Sequence, residues 1–180
     1  MSLTGAWQKA RPRFEAPPLP KMSAREKTAL LIGTGLGCGF AKPCAPSLAS
    51  IPGFAFFILV IRLPLGAALA IYAALLFLAV WSGSICERLL ARKDPRPVVI
   101  DEIAAVPFAL WPLLFHWPQH LWTWLVLFAI YRFADYIKPY PANRLQTIGG
   151  GLGILIDDVI SSTYMGVALW AWIHYFPHSL

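Results

Sequence analysis

The stretch that decides the fold is residues 103–131, IAAVPFALWPLLFHWPQHLWTWLVLFAIY, which contains no Asp, Glu, Lys or Arg. As one straight helix it would be about 44 Å long at 1.5 Å per residue, whereas the hydrocarbon core of a bilayer is only about 30 Å thick. Pro112 and Pro118 interrupt its centre, and tryptophans, which favour membrane interfaces, surround this break. The stretch therefore predicts a helical hairpin with arms at about 99–115 and 120–137.

Three more runs lack charged side chains, and with the first they include 94 of the 180 residues: 43–61, 63–86 and 159–180. Only 13% of the chain is charged and 58% is hydrophobic, while a soluble domain carries about 25% charged residues. This composition excludes a soluble globule, a disordered chain and a disulfide scaffold. It predicts an all-α, polytopic membrane protein, a compact bundle of about four to five membrane helices that includes the 99–137 hairpin.

The basic residues predict the orientation of this bundle. Residues 1–28 are rich in Pro, Lys and Arg and are expected to form a cytoplasmic tail, followed by one helical membrane domain over 29–180. A cleaved signal peptide ending in the apolar 28–40 segment is the rival interpretation. With the 87–98 connection inside, fourteen of the fifteen basic residues are cytoplasmic and only Arg62 is not. The N-terminus is therefore expected inside.

The net charge of +6 has the same explanation. In a membrane protein it indicates cytoplasmic loops and contact with anionic lipid, and we expect no nucleic-acid partner. The sequence leaves the oligomeric state open.

Five of the nine acidic residues are predicted to converge at the cytoplasmic boundary of the membrane. Four charged residues flank the hairpin at 15 to 18 positions from Trp117, which places them at one depth: Asp101, Glu102, Arg132 and Asp135. Asp157 and Asp158 lie about five residues into the last helix, roughly 8 Å along its axis. Carboxylates at an apolar margin are costly and are usually functional.

Such a group of carboxylates favours a divalent cation, because the like charges otherwise repel one another. All-oxygen ligands suit Mg²⁺, which binds one or two carboxylates together with substrate phosphate oxygens. Arg132 and Lys138 flank Asp135 and are typical phosphate partners. Two alternatives stay open. In the first, the acids only complement helix dipoles and form an Arg132–Asp135 pair. In the second, they belong to a non-enzymatic ion-binding protein or small transporter.

Two glycine-rich stretches have separate interpretations. Gly33/Gly37 and Gly35/Gly39 have GxxxG spacing, which favours close helix packing. The glycines between Gly149 and Gly153 either present backbone N–H groups to an anion at the start of the last helix or act as small packing residues.

Three motifs in this order resemble the phosphatidylglycerophosphatase A family over about residues 33–176. They are Asp101-Glu102, Arg132-x-x-Asp135-x-x-Lys138-Pro-x-Pro, and Gly150-x-x-Gly-Ile-x-Ile-Asp157-Asp158. Family members usually have Gly, Met and Ala-Gly at the positions that Ala105, Leu155 and Ser161-Ser162 occupy in this chain. The family's Pro-Gly-Thr-x-Gly-Ser-Leu segment is replaced here by residues 41–52, in which Ser47-Leu48 remains.

The resemblance implies a bacterial, Mg²⁺-dependent lipid phosphatase that converts phosphatidylglycerophosphate to phosphatidylglycerol at the cytoplasmic membrane face. Glu102, Asp157 and Asp158 are the first candidates to hold the metal, with Asp101 and Asp135 as further ligands or orienting groups. Arg132 and Lys138 would neutralise phosphate oxygens. Water is the expected nucleophile, and an aspartyl-phosphate intermediate remains an alternative. The spacing of the acids does not show which of them is the base, the nucleophile or a metal ligand. It also leaves open whether one or two metal ions bind.

Overall fold

The computed structural model describes residues 22–41, 45–137, 140, 145 and 148–176. Every regular element within these residues is helical, which confirms the all-α prediction. The six α-helices are α1 Ala24–Gly33, α2 Ala45–Val60, α3 Leu65–Leu89, α4 Ile100–Leu110, α5 Leu121–Ile137 and α6 Gly150–Tyr175. Short 3₁₀ turns follow α1 and α4 at Cys38–Phe40 and Trp111–Leu114.

The predicted hairpin is present as α4 and α5. The chain leaves α4 at Leu110, passes through the 3₁₀ turn that contains Pro112, and enters α5 at Leu121. The Tyr131 hydroxyl, near the end of α5, donates a hydrogen bond of 3.0 Å to the Glu102 carbonyl in the first turn of α4. The two arms are therefore antiparallel, and their charged ends meet.

Two of the described helices are long and apolar enough to cross a membrane. These are α3, with 25 residues and a mean hydropathy of 2.1, and α6, with 26 residues and a mean hydropathy of 1.4. Only 11% of the most apolar window of α3 is buried inside the molecule, against 50% of that of α6. The helix α6 is therefore central, while most of the apolar surface of α3 faces outward.

The short helix α4 is enclosed by its neighbours. All residues from Ile100 to Val106 are buried, and α4 packs against α2, α3 and α6. One core cluster joins Phe54, Leu110 and Leu127 with Met165, and a second surrounds Val99 beside Cys86 and Ile154. A helix apolar on all sides is a buried helix. Asp101 and Glu102, in the first turn of α4, therefore lie in the protein interior, at the end of the bundle where α4 begins.

The first helix begins inside the segment assigned to the tail. Ser23 and Glu26 form a capping box, in which the Ser23 side chain accepts from the Glu26 backbone and the Glu26 carboxylate accepts from the Ser23 backbone. The predicted tail boundary at residue 28 thus falls within α1, whereas residues 1–21 lie outside the described residues.

The close packing predicted from the GxxxG spacing is present at Gly33, Gly35 and Gly39 but not at Gly37, where a Cβ would meet nothing within 4 Å, and the glycines do not lie in one helix. The helix α1 ends at Gly33, and Gly35 and Gly37 have φ angles of +56° and +94° in the turn that follows. A Cβ added at Gly33 would lie 2.8 Å from Cys86 Sγ, and one at Gly39 would overlap the Pro97 carbonyl. Both glycines are packing residues on α1 and its turn, but they do not share one helical face.

The two long helices approach most closely at glycines. An ideal Cβ at Gly83 of α3 would lie 3.1 Å from the Gly151 Cα of α6, and a Cβ at Gly151 would overlap the Val80 carbonyl. Backbones can come this close only where side chains are absent, as at small-residue interfaces of membrane helices.

This contact predicts that Gly151→Ala destabilises the protein. Overpacking of this kind costs about 1–3 kcal/mol because backbone must shift, so the melting temperature in detergent should fall by several degrees. Gly66→Ala in α3 is the matched control, because a Cβ there meets nothing within 4 Å. Equal melting temperatures for the two variants, measured by thermal-shift size-exclusion chromatography, would contradict the close approach of α3 and α6.

Candidate functional site

The site begins with two acids in the first turn of α4. Asp101 and Glu102 are only 7% and 9% exposed, although both are charged residue types. A carboxylate in the first turn interacts favourably with the helix dipole. Burial to this extent nevertheless requires further partners, since an isolated charge is strongly disfavoured in the interior.

Arg132 of α5 supplies one of these partners. Its Nη1 atom lies 3.2 Å from Glu102 Oε2, 3.0 Å from Asp135 Oδ2 and 3.2 Å from the Ser50 hydroxyl. Ser50 is fully buried in α2, so a single guanidinium nitrogen joins three helices. The predicted Arg132–Asp135 pair is present, but the contact to Glu102 shows that it belongs to a larger network.

The acids of α6 lie on the same side of the bundle. Asp157 and Asp158 are each 2% exposed, and Ser161 and Ser162 are buried one turn later. Tyr131 connects this helix to the others: its hydroxyl donates to the Glu102 carbonyl, and it lies near the Ser162 side chain and within electrostatic range of the carboxylates of Asp158, Asp135 and Glu102. The structure therefore brings Glu102, Arg132, Asp135 and Asp158 together around Tyr131.

The remaining predicted residues have different outcomes. Asp101 and Asp157 are each adjacent in sequence to a member of this group and are equally buried. Lys138, the second predicted phosphate partner, lies outside the described residues.

Several side-chain oxygens in this region are buried. The Oδ1 atoms of Asp101, Asp157 and Asp158 and the Ser161 hydroxyl are buried and form no hydrogen bond within the described residues, although the three Asp side chains have other interactions. Buried polar atoms in folded proteins almost always have a partner, often an ordered water or ion. No three His, Cys, Asp or Glu side chains in the same described ranges are close enough to surround a metal by themselves.

No sequence pattern singles out Ser50, Tyr131 or Ser162 as site residues. Tyr131 is the last residue of the charge-free run 103–131, directly before Arg132. Ser50 lies in the 41–52 segment that departs from the family pattern. Ser162 is one of the two serines noted only as a departure. Each is identified by a contact between helices rather than by its neighbours in the chain.

The start of α6 decides between the two interpretations of its glycines. The Gly150 N–H donates to Glu87 Oε2 at 2.7 Å, and the Gly151 N–H donates to the Ser84 hydroxyl at 2.8 Å. A Cβ at Gly153 would overlap the Ile148 carbonyl. The glycines are packing residues, and the anion at this helix N-terminus is the protein's own Glu87 carboxylate.

The sequence profile of the family described as phosphatidylglycerophosphatase A matches residues 31–173. The chain belongs to this family. Family membership makes it an enzyme, a phosphatase, and sets aside the non-enzymatic alternative.

Curated relatives agree with this assignment. The phosphatidylglycerophosphatase A of Haemophilus influenzae is 30% identical over 86% of this chain and 93% of its own length. That of Escherichia coli is 26% identical over 82% of this chain and 84% of its own. A putative phosphatidylinositol-3-phosphatase of Bacteroides thetaiotaomicron is 36% identical over 78% of this chain and 93% of its own. No solved structure matches the chain.

The Arg132 network predicts graded losses of activity in this phosphatidylglycerophosphatase A family member. Ser50→Ala removes one of the three groups at Nη1 and should slow phosphate release by about tenfold, since a hydrogen bond to a charged group is worth about 1.5 kcal/mol or more. Arg132→Gln removes the charge itself and should cost at least about a hundredfold.

Ser82→Ala is the control for Ser50→Ala. Ser82 is equally buried, but its hydroxyl donates to the Leu78 carbonyl within α3. Turnover of this variant should stay within about twofold of wild type, because it leaves the charged hydrogen bond intact. Equal losses in the two serine variants would mean that Ser50 acts through packing alone.

Proposed function

We propose that the protein is a Mg²⁺-dependent lipid phosphomonoester hydrolase that converts phosphatidylglycerophosphate to phosphatidylglycerol at the cytoplasmic face of a bacterial inner membrane. The observation that carries the proposal is that Arg132 pairs with carboxylates of α4 and α5, while Asp158 of α6 lies within electrostatic range of Tyr131, the residue directly before Arg132. The substrate is that of two relatives, the phosphatidylglycerophosphatases A of Haemophilus influenzae and Escherichia coli.

The carboxylates suit a Mg²⁺ ion that is coordinated jointly by the protein and by a substrate phosphate. Mg²⁺ prefers oxygen ligands and keeps several waters, so one or two carboxylates plus phosphate oxygens suffice. Asp158, Asp157 and Glu102 are the proposed ligands, with Asp101 beside them, because all four are carboxylates that the bundle buries, at 2% to 9% exposure. A bound Mg²⁺ would supply charge neutralisation to the phosphate.

The protein groups themselves supply orientation and positive charge. Arg132 makes its three contacts through Nη1, and a guanidinium has five N–H donors. The other edge of the same side chain would hold phosphate oxygens, where charge increases in the transition state. Lys138, three residues beyond Asp135, would add a second positive charge.

Attack by water needs a carboxylate within hydrogen-bond reach to orient it and accept its proton. Asp135, which pairs with Arg132 and whose side chain is 13% exposed, is one candidate for this role. Glu102 is the alternative, at 12%.

The placement in the membrane extends the same proposal. Besides the two long helices, α2 is apolar over Ser47–Val60, and the α4–α5 hairpin places its break at the opposite end from the acids. Together these elements give the proposed bundle of four to five membrane helices. The basic residues of the 87–98 connection and the N-terminal tail would then lie in the cytoplasm, on the side of the carboxylates.

The substrate prediction is tested with the purified full-length protein in detergent. Phosphatidylglycerophosphate should release phosphate with Mg²⁺ and not with excess chelator, and Asp158→Asn should lose at least about a hundredfold in rate because it removes a ligand charge. Thr163→Ala, on the exposed side of the same helix, is the matched control. Phosphatidylinositol 3-phosphate is run in parallel because of the Bacteroides relative. Faster hydrolysis of that lipid would replace the proposed substrate.

The orientation is tested by cysteine labelling in a variant in which Cys38, Cys44 and Cys86 are replaced by Ala. Gln119→Cys lies in the hairpin break and should react with an impermeant maleimide added to intact spheroplasts. Arg96→Cys should react only after the membrane is permeabilised, because the positive-inside rule places it in the cytoplasm. The reverse pattern would place the carboxylates on the external face.

A further inference from the structure

A second charged feature lies where α3 ends and α6 begins. It is a cavity of about 470 Å³ lined by Ser84, Glu87, Arg88, Ala91, Arg92, Lys93 and Gly150. None of these residues belongs to the carboxylate network around Tyr131. Gly150 precedes Asp157 by seven residues, about 10 Å along the axis of α6.

The cavity has an excess of positive charge. Three cations line it, Arg88, Arg92 and Lys93, against one carboxylate, Glu87. Glu87 Oε2 accepts the Gly150 N–H at 2.7 Å, so the N-terminal end of the α6 dipole offsets part of its charge. Arg88 also borders a neighbouring cavity, where it interacts electrostatically with Glu26.

An unusual turn brings these cations together. Ala91 has a φ of +46°, a left-handed conformation that glycine normally adopts after a helix. The Ala91 N–H donates to the Arg88 carbonyl at 3.3 Å, and the Arg92 N–H donates to that of Glu87 at 3.3 Å, which closes the end of α3. This conformation is strained for a residue that carries a Cβ. Such strain is often retained at binding sites.

We propose that this cavity binds the phosphate of an anionic phospholipid headgroup as a second lipid site, separate from the hydrolytic one. The level is suitable, because the apolar helix α3 ends at Leu89 and headgroups lie where a spanning helix leaves the hydrocarbon. Arg and Lys together with a backbone turn are the usual partners of phosphate oxygens. The site requires the membrane placement proposed above, but it does not depend on which lipid is hydrolysed.

The test measures binding of short-chain phosphatidylserine to the full-length protein in phosphatidylcholine nanodiscs. This lipid carries a phosphodiester and no terminal phosphomonoester, so binding is read without turnover. Arg88→Gln/Arg92→Gln should weaken binding by about tenfold or more, since loss of one charged hydrogen bond is worth about a factor of ten. Arg88→Lys/Arg92→Lys should retain most of it.

Lys27→Gln/Arg96→Gln is the charge-matched control, because both residues are exposed and neither lines the cavity. It should change the affinity by less than about twofold, as expected for surface charges that act only through the general potential. Equal weakening by the two Gln pairs, or no saturable binding by wild type, would overturn the site. Millimolar inorganic phosphate that fully displaces the lipid would instead assign the cavity to free phosphate. If phosphatase activity is normal while any of these results is obtained, the second lipid site is wrong and the proposed function still stands.

Discussion

The arrangement of the site depends on one guanidinium. Arg132 Nη1 lies within 3.2 Å of oxygens from Ser50, Glu102 and Asp135, and thereby joins α2, α4 and α5 at their common end. Removing one partner of a buried ion pair leaves the other charge uncompensated. This destabilises the protein more than replacing both partners with apolar residues does. Because Glu102 is in a helix that is buried on all sides, the position of Arg132 also determines where the short helix α4 begins relative to α5.

The apolar parts of the chain make this charged group possible. The break at Pro112 and Pro118 folds the long uncharged run back on itself, so that residues 30 positions apart meet, as Glu102 and Arg132 do. The close approach at Gly83 and Gly151 then fixes α6 against α3 and sets the depth of its acids. Low charge content thus defines the helices, and the few exceptions to it define the site. A substrate phosphate at headgroup level would meet them there.

Sequence reasoning predicted the all-α class and the hairpin, which the structure confirms, and proposed five carboxylates as site residues, because all of these follow from local patterns. Runs without charge, paired prolines and acids at equal distances from Trp117 are visible in the chain. The partners Ser50 and Tyr131 were missed because they are defined across helices, at separations of 82 residues from Arg132 and 29 from Glu102. The role of Glu87 at the start of α6 was missed for the same reason, since 63 residues separate it from Gly150.

The claim that α4 and α6 contribute to one site is tested most directly by a double-mutant cycle on kcat/KM with Glu102→Gln and Asp158→Asn. Residues that act as a unit give strongly non-additive losses. The double variant should be no more than about threefold slower than the slower single variant, since most of the function is already lost in either one. Losses that multiply, so that the double variant shows the product of the two single effects, would contradict a shared site.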